Sequence, residues 1–255
     1  MDKSEIKRAN RKALPRFIFF VVIGVIIGGV LGYLLGKIRP EALTAGLKSA
    51  GVFFGAHIAP WLMMAMAVIM PIVCISIYRS CKKLLAAWDG EDEAVYSTAD
   101  RKLSLVIWIT SSALIISFFL IAATYSEGFA ALDGDRSIVA LFGGIAAFLA
   151  IMIESTVIQQ KCVDTVKQLN PEKKASVYDM KFQKKWLDDC DEAEKALICK
   201  CAFKAYSATN TVCVILAIVL AVCAIVFDIG FLPSLTVCLV WLINLSAYCK
   251  EAVRY

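Results

Sequence analysis

The residues best suited to metal chemistry are three cysteines and one histidine. Cys199 and Cys201 form a C-x-C pair with Cys190 close by in the chain, and His57 is the only histidine. A structural zinc site takes four ligands, usually as two spaced pairs. Because the C-x-C pair has neither a second pair nor a histidine beside it, no metal site is predicted.

Hydroxyl groups and one amide stand inside the long apolar runs of the chain. They belong to Thr110, Ser111, Ser112, Ser117 and Asn244. Such groups line the paths of transporters, but in membrane helices they commonly hydrogen-bond to their own backbone or to a neighbouring helix. The centres of the runs carry no charge, which weakens the case for ion-coupled transport.

Sequence motifs of the common enzyme classes are missing. The chain has no phosphate loop, no dinucleotide-binding fingerprint, no HExxH helix and no GxSxG turn. We therefore predict a protein that is not an enzyme and that binds no cofactor. The net charge of +5 comes from lysines and arginines beside apolar runs, where they act as topology signals, so nucleic acid is not an expected partner.

Long apolar runs decide the fold class. Of the 255 residues, 60% are hydrophobic and 19% are charged, and the apolar ones gather in uncharged runs close to the ~20 residues that cross a bilayer. We predict an all-α, polytopic membrane protein, a bundle of six transmembrane helices. The predicted spans are Phe17–Gly36, Val52–Tyr78, Leu103–Tyr125, Ile138–Ile153, Ala208–Phe227 and, after a turn at Asp228–Pro233, a sixth that ends near Tyr248. A short loop at Lys37–Ala50, in which Pro40-Glu41 has the pattern of the first turn of a small helix, and a polar loop at Arg79–Lys102 connect the first three.

Four glycines repeat at every fourth position of the first span. Gly24, Gly28, Gly32 and Gly36 form consecutive small-xxx-small steps, which give a helix a flat stripe for close approach of another backbone. The stripe packs either against another span of the same chain or between chains, in a homo-oligomer or with a partner. In both cases Gly28→Leu should disrupt assembly more than Val25→Leu.

A polar stretch from Glu154 to Lys204 separates the first four spans from the last two. It carries ten of the 27 basic residues and nine of the 22 acidic ones. The fourth span should continue as a helix to about Gln168, where Asn170-Pro171 stops it. A second helix should begin at Asp188 or Asp189 and continue to Phe227. We predict a helical cytoplasmic hairpin, residues 154–204, between the spans of 17–153 and 205–248, with tails at 1–16 and 249–255.

Two aromatic residues within this stretch stand one helical turn apart. Phe182 and Trp186 are surrounded by Lys181, Lys184 and Lys185. Aromatic anchors ringed by lysines suit a helix that lies on a membrane surface. A face packed on the neighbouring loop or on a partner protein explains the same pattern.

The distribution of basic residues predicts the orientation. With six spans, 23 of the 27 lysines and arginines fall on the side of both termini and 4 on the other side. Basic residues are retained on the cytoplasmic face, so both termini should be cytoplasmic. No cysteine falls in a predicted outer loop, so no disulfide framework is expected.

The run NPEKKASVYDMKFQKKWLDDCDEAEK (Asn170–Lys195) and the WDGEDE turn (Trp88–Glu93) resemble a family of bacterial membrane proteins of unknown function. The similarity extends over nearly the whole chain. It implies six spans, a plasma-membrane location and a mostly Gram-positive distribution. It implies no activity and no site residues.

The predicted function is that of a membrane scaffold or accessory subunit. The bilayer is one expected partner, and the cytoplasmic hairpin is expected to contact a cytoplasmic or membrane protein. The alternative is a transporter or permease component. A water-filled cavity lined by Ser111, Ser117 or Asn244 would favour the transporter, and a dry apolar core would favour the scaffold.

Overall fold

The computed structural model describes residues 40–88, 92–126, 138–170, 172–227 and 230–253, and single positions 15, 18, 19, 22, 23, 26, 29, 30 and 33. The described elements are α1 Pro40–Phe53, a π-helical turn Phe54–Ile58, α2 Ala59–Ala86, α3 Glu93–Thr124, α4 Ile138–Leu169, α5 Phe182–Asp188, α6 Glu192–Phe227 and α7 Leu232–Ala252. The described ranges contain no strand. The chain divides into two compact units, residues 48–199 and residues 1–47 with 200–255.

The core of the first unit is a bundle of α2, α3 and α4, in which each helix packs against the other two. Buried residues of α3 recur every three or four positions, from Ala99 through Leu103 and Val106 to Leu120, so one stripe of the helix faces inward. Met63 and Ile151 fill the centre of the bundle and are completely buried.

Five helical segments are long and apolar enough to cross a membrane, as a membrane protein requires. They are Thr44–Ala86, Glu93–Thr124, Phe142–Leu169, Glu192–Ala224 and Leu232–Glu251. They correspond to the second to sixth predicted spans. Of the first predicted span the structure describes only single positions, and the glycines Gly24, Gly28, Gly32 and Gly36 lie outside the described residues.

The small helix predicted to begin at Pro40-Glu41 is confirmed, but it is longer than the short loop predicted at Lys37–Ala50 allows. Helix α1 begins at Pro40 and joins α2 through the π-helical turn Phe54–Ile58. Two local features favour the change from α-helical to π-helical hydrogen bonding at this junction. Pro60 has no N–H to donate into the preceding turn, and a Cβ on Gly55 would lie only 2.1 Å from the carbonyl oxygen of Ala123 on α3, so the backbones are in close approach.

Most of the polar loop predicted at Arg79–Lys102 is also helical. Helix α2 continues to Ala86 and α3 begins at Glu93, because hydropathy marks where a helix is apolar and not where it ends. Asp92 caps α3, its Oδ1 accepting the backbone N–H of Ala94 at 2.9 Å, as expected of an N-cap aspartate.

The helical parts of the polar stretch follow the prediction with one shift. Helix α4 continues past Glu154 and ends at Leu169, where the prediction stopped it. Helix α6 begins at Glu192, later than the predicted Asp188 or Asp189. The reason is that Asp191 provides the cap, its Oδ1 accepting the N–H of Glu194 at 2.7 Å.

In the second unit, the described parts of α6 and α7 are joined by polar and aromatic contacts. Asn210 Oδ1 accepts Trp241 Nε1–H at 3.1 Å and Asn244 Nδ2–H at 3.3 Å. Tyr206 and Tyr248 stack with ring centroids 4.6 Å apart. Gly230, in the predicted turn before α7, has a φ of 73°, a conformation that favours glycine.

Candidate functional site

The candidate site is the segment that joins α4 to α6, residues 172–191, which we call the cap segment. It contains the short helix α5 and reaches the ends of α3 and α4 through a set of hydrogen bonds. The segment lies in the middle of the predicted polar stretch. Its centre is a lysine that the sequence did not single out.

Lys173 is buried, with 5% of its side chain exposed. Its Nζ donates to Glu194 Oε1 at 2.5 Å and lies 4.8 Å from the centroid of the Trp186 ring, a cation–π distance. Burial alone lowers the pKa of Lys173, but the hydrogen bond and the charge of Glu194 offset it, so the pKa stands above its ordinary value. Lys173 is therefore charged, and its contacts hold the cap segment against the start of α6.

Gln160 on α4 clamps the middle of the cap segment. Its Oε1 accepts the backbone N–H of Val177 at 2.9 Å and the hydroxyl of Ser176 at 3.1 Å. Its Nε2 donates to Asp164 Oδ1 at 2.7 Å, which fixes the amide orientation. A buried side-chain amide with both ends bonded holds a loop in one conformation.

Hydrogen bonds also fix the chain just before the segment and link the two ends of the segment to each other. Asn170 Nδ2 donates to the hydroxyl of Tyr96 on α3 at 2.9 Å. The backbone N–H of Lys174 donates to Asp189 Oδ2 at 2.8 Å. These contacts join residues far apart in sequence, so the segment is ordered by tertiary contacts and not by local propensity.

A cavity of about 340 Å³ lies beneath the segment. Its lining comes from α3, α4, the cap segment and the start of α6, and includes Tyr96, Asp100, Lys173, Phe182, Trp186, Cys190 and Glu194. Burial raises the pKa of the Cys190 thiol, and its Sγ donates to the carbonyl of Trp186 at 3.1 Å. Neither this thiol nor the charged Lys173 is an activated nucleophile.

In the structure the predicted aromatic pair is partly buried and its lysines are exposed. Phe182 and Trp186 are half-buried, with ring centroids 5.6 Å apart, and both line the cavity. Lys181, Lys184 and Lys185 are exposed. Contact of this helix with a membrane surface or a partner stays a prediction.

The turn before α5 is held by its own ion pair. Lys185 Nζ pairs with Asp179 Oδ2, and Asp179 Oδ1 accepts the backbone N–H of Lys181 at 2.9 Å. The hydrogen bond from Lys185 and then that from Lys181 hold the pKa of Asp179 below its usual range. The turn between Ser176 and Phe182 is thereby closed.

This closed turn exposes two large apolar side chains. Tyr178 is 65% exposed and Met180 is fully exposed, and together we call them the apolar tip. The sequence analysis did not identify these two residues. The signal available in the sequence was two apolar residues among charged ones, in a stretch too polar to lie in the bilayer core.

Of the four hydroxyl groups considered for a transport path, two are buried in the core of the bundle and two are half-buried. Thr110 and Ser117 are buried and donate to backbone carbonyls of their own helix, at 3.0 and 2.7 Å. Gln159 Nε2 donates to both Thr110 Oγ1 and Ser111 Oγ at 3.1 Å. Ser112 lines an apolar groove, and Asn244 bonds to Asn210.

The potential metal ligands do not assemble in the described part of the chain. No three His, Cys, Asp or Glu side chains lie together there. Cys199 and Cys201 are exposed, and Cys190 is buried. His57 lies in the π-helical turn, its ring 5.0 Å from that of Phe53.

Comparison with known families identifies one match over nearly the whole chain. The family described as "Protein of unknown function (DUF3169)" matches residues 11–252, so the chain belongs to this family. The resemblance to a family of unknown function is confirmed. No curated protein and no solved structure matches the chain.

Proposed function

We propose that this member of the DUF3169 family is a non-enzymatic scaffold or accessory subunit in the plasma membrane of mostly Gram-positive bacteria. Its cap segment docks a partner protein at the cytoplasmic face. The observation that carries the proposal is the apolar tip. Tyr178 and Met180 stand exposed on a segment that buried polar contacts hold in place.

Such a tip has the properties of an interface anchor. Tyrosine and methionine are enriched in protein interfaces. A segment ordered before binding loses less conformational freedom when its partner arrives. The contacts of Gln160 and Lys173 provide this order, and the exposed lysines of α5 add a polar rim beside the tip.

The burial and hydrogen bonds of the hydroxyl groups in the bundle favour a scaffold over the alternative, a transporter or permease component. A transport path needs polar groups that can exchange bonds with water or substrate. Thr110 and Ser117 are instead buried and bonded to their own helix, and Ser111 is bonded to Gln159.

The proposed topology has six spans with both termini in the cytoplasm. Its support is the ratio of 23 basic residues to 4 between the two sides, together with the five long apolar helices. A cysteine in place of Asp133 should react with an impermeant maleimide added outside the cell, and one in place of Asp92 should not. The reverse labelling would overturn this topology.

The mass and composition of the complex extracted from its native membrane in a mild detergent test the scaffold itself. We expect a second protein in stoichiometric amount. The double variant Tyr178→Ser/Met180→Ser should lose it. The control double variant Gln183→Ser/Lys184→Ser, on the exposed side of α5, should keep it. A wild-type chain that elutes alone or only as a homodimer would contradict the proposal and favour a self-sufficient carrier.

A further inference from the structure

Two grooves meet at Arg79 on the exposed side of α2. The first, of about 510 Å³, lies between α2 and α4 and has apolar walls from Pro71, Ile75 and Val157. The second, of about 640 Å³, follows α2 past Ile72 and Ser76. Ile75 and Arg79 line both grooves. Arg79 thus stands where an apolar groove between two helices meets a mixed groove along α2, whose lining also includes Ser76, Ser80 and Lys83.

Basic residues surround this junction, and we call them the basic rim. Lys161 lines the first groove and Lys83 lines the second. Lys102 on α3 donates to the hydroxyl of Ser80 at 2.8 Å, and Ser80 lines the second groove. None of the carboxylates in the described ranges forms an ion pair with these cations or with Arg79.

One carboxylate lines the first groove, but it lies away from the rim. Glu154 precedes Lys161 by seven residues, which is about 10 Å along a helix. It stands toward the apolar end of the groove. Its Oε2 is buried and has no hydrogen-bond partner among the described residues. The rim therefore keeps its positive charge.

We infer that the basic rim binds the phosphate of an anionic phospholipid, one acyl chain of which lies in the apolar first groove. A guanidinium matches phosphate oxygens with two parallel hydrogen bonds, and basic pockets at the ends of membrane helices suit lipid headgroups. The apolar first groove beside Arg79 fits an acyl chain attached to that phosphate. Inorganic phosphate carries the same anion but leaves this groove unfilled.

Lipid retention tests this assignment. The full-length protein is reconstituted in nanodiscs with equal amounts of phosphatidylglycerol and phosphatidylcholine, and the lipids retained on release are counted by native mass spectrometry. We expect preferential retention of phosphatidylglycerol and an about fivefold lower preference in Arg79→Gln, since one basic residue near a membrane surface contributes roughly that factor. Arg79 is exposed, so this variant should fold normally.

Two controls identify what the site recognises. Lys167→Gln removes a cation that pairs with Asp164 away from the grooves, and it should retain the wild-type preference. Equal retention of both lipids by the wild type, or an unchanged preference in Arg79→Gln, would overturn the assignment. Displacement of the lipid by millimolar inorganic phosphate would assign the rim to the free anion instead.

Discussion

The three-helix bundle and the pair α6–α7 hold long apolar helices together by different means. In the most apolar stretch of each bundle span 28% of the residues are buried, against 6% in α6 and 0% in α7. The bundle is maintained by steric fit around Met63 and Ile151. The described part of the pair relies on a few contacts such as Asn210 with Trp241.

This difference indicates where each region can interact with its surroundings. In lipid, helices associate through close packing and hydrogen bonds and not through hydrophobic burial. The bundle uses its inner faces for such packing and supports the cap segment at one end. Helices α6 and α7 display apolar faces, such as that of Ile243, which is 68% exposed, and these faces need lipid or protein around them.

The largest expected effect is at the close approach between the π-helical turn and α3. In Gly55→Ala the new Cβ would meet the Ala123 carbonyl oxygen at 2.1 Å, and both backbones would have to separate. We expect a loss of about 3 kcal/mol or more in the free energy of unfolding, measured in detergent. Gly51→Ala, where no atom lies within 4 Å of the new Cβ, should be neutral or slightly stabilising. Equal stability of the two variants would contradict the account of the bundle.

The next largest loss of stability is expected for the ion pair between Lys173 of the cap segment and Glu194 of α6. Glu194→Gln leaves the ammonium of Lys173 buried without a counter-charge, and we expect local opening to become easier by about 3 kcal/mol. Lys173→Met leaves Glu194, whose side chain is 34% exposed and can be hydrated, so the expected loss is about 1 kcal/mol. Amide exchange of the cap segment measures both values. The opposite order would show that Lys173 is not buried in solution.

The ion pair of Lys173 and Glu194 makes the stability of the cap segment depend on pH. Because the folded pKa of Lys173 is raised, the pair stabilises the cap segment fully at pH values below the ordinary lysine pKa of about 10.4. This stabilisation is lost as the pH rises through the folded pKa. Wild-type amide exchange should therefore accelerate above that range more than exchange in Lys173→Met does.

A matched pair of isoleucines compares the two regions directly. Ile151→Ala in the bundle removes a side chain with 0% exposure and should destabilise the protein by about 2 kcal/mol or more. Ile243→Ala in α7 should change stability by less than about 0.5 kcal/mol. Unfolding in detergent measures both variants. A comparable loss at Ile243 would show that a protein surface covers this face.

A small effect is expected for the polar contact in α6–α7. Asn210→Leu removes the acceptor for Trp241 and Asn244 and should weaken the helix contact by about 1 kcal/mol. Spin labels at Cys249 and at a cysteine replacing Phe203, in a chain without other cysteines, should show a broader distance distribution. Thr211→Val, which removes a hydroxyl bonded to its own helix at Ser207, is the control. An unchanged distribution in Asn210→Leu would mean that other contacts hold the pair.

The apolar runs were sufficient to predict the second to sixth spans, because long uncharged helices need few tertiary contacts to be recognised. The end of α4 followed from Asn170-Pro171, which stops a helix. The junction of α1 with α2 could not be predicted, since it depends on the approach of Gly55 to Ala123 across the bundle.

Less of the candidate site could be predicted from the sequence. Asp188, Asp189 and Asp191 are all suitable caps for α6, and only tertiary structure shows that Asp189 instead binds the backbone of Lys174. Lys173 looked like any other lysine of the polar stretch, because Trp186 and Glu194 lie 13 and 21 residues further along the chain.

The central claim is that the cap segment is a fixed platform that carries the apolar tip, and amide exchange at Val177 and Lys174 tests it most directly. Their N–H groups donate to Gln160 and to Asp189, so both should exchange slowly although Tyr178 and Met180 beside them are exposed. In Gln160→Ala, exchange at Val177 should rise, while amides in the centre of α3 stay protected. Exchange of Val177 and Lys174 at the rate of an unstructured chain in the wild type would contradict the account.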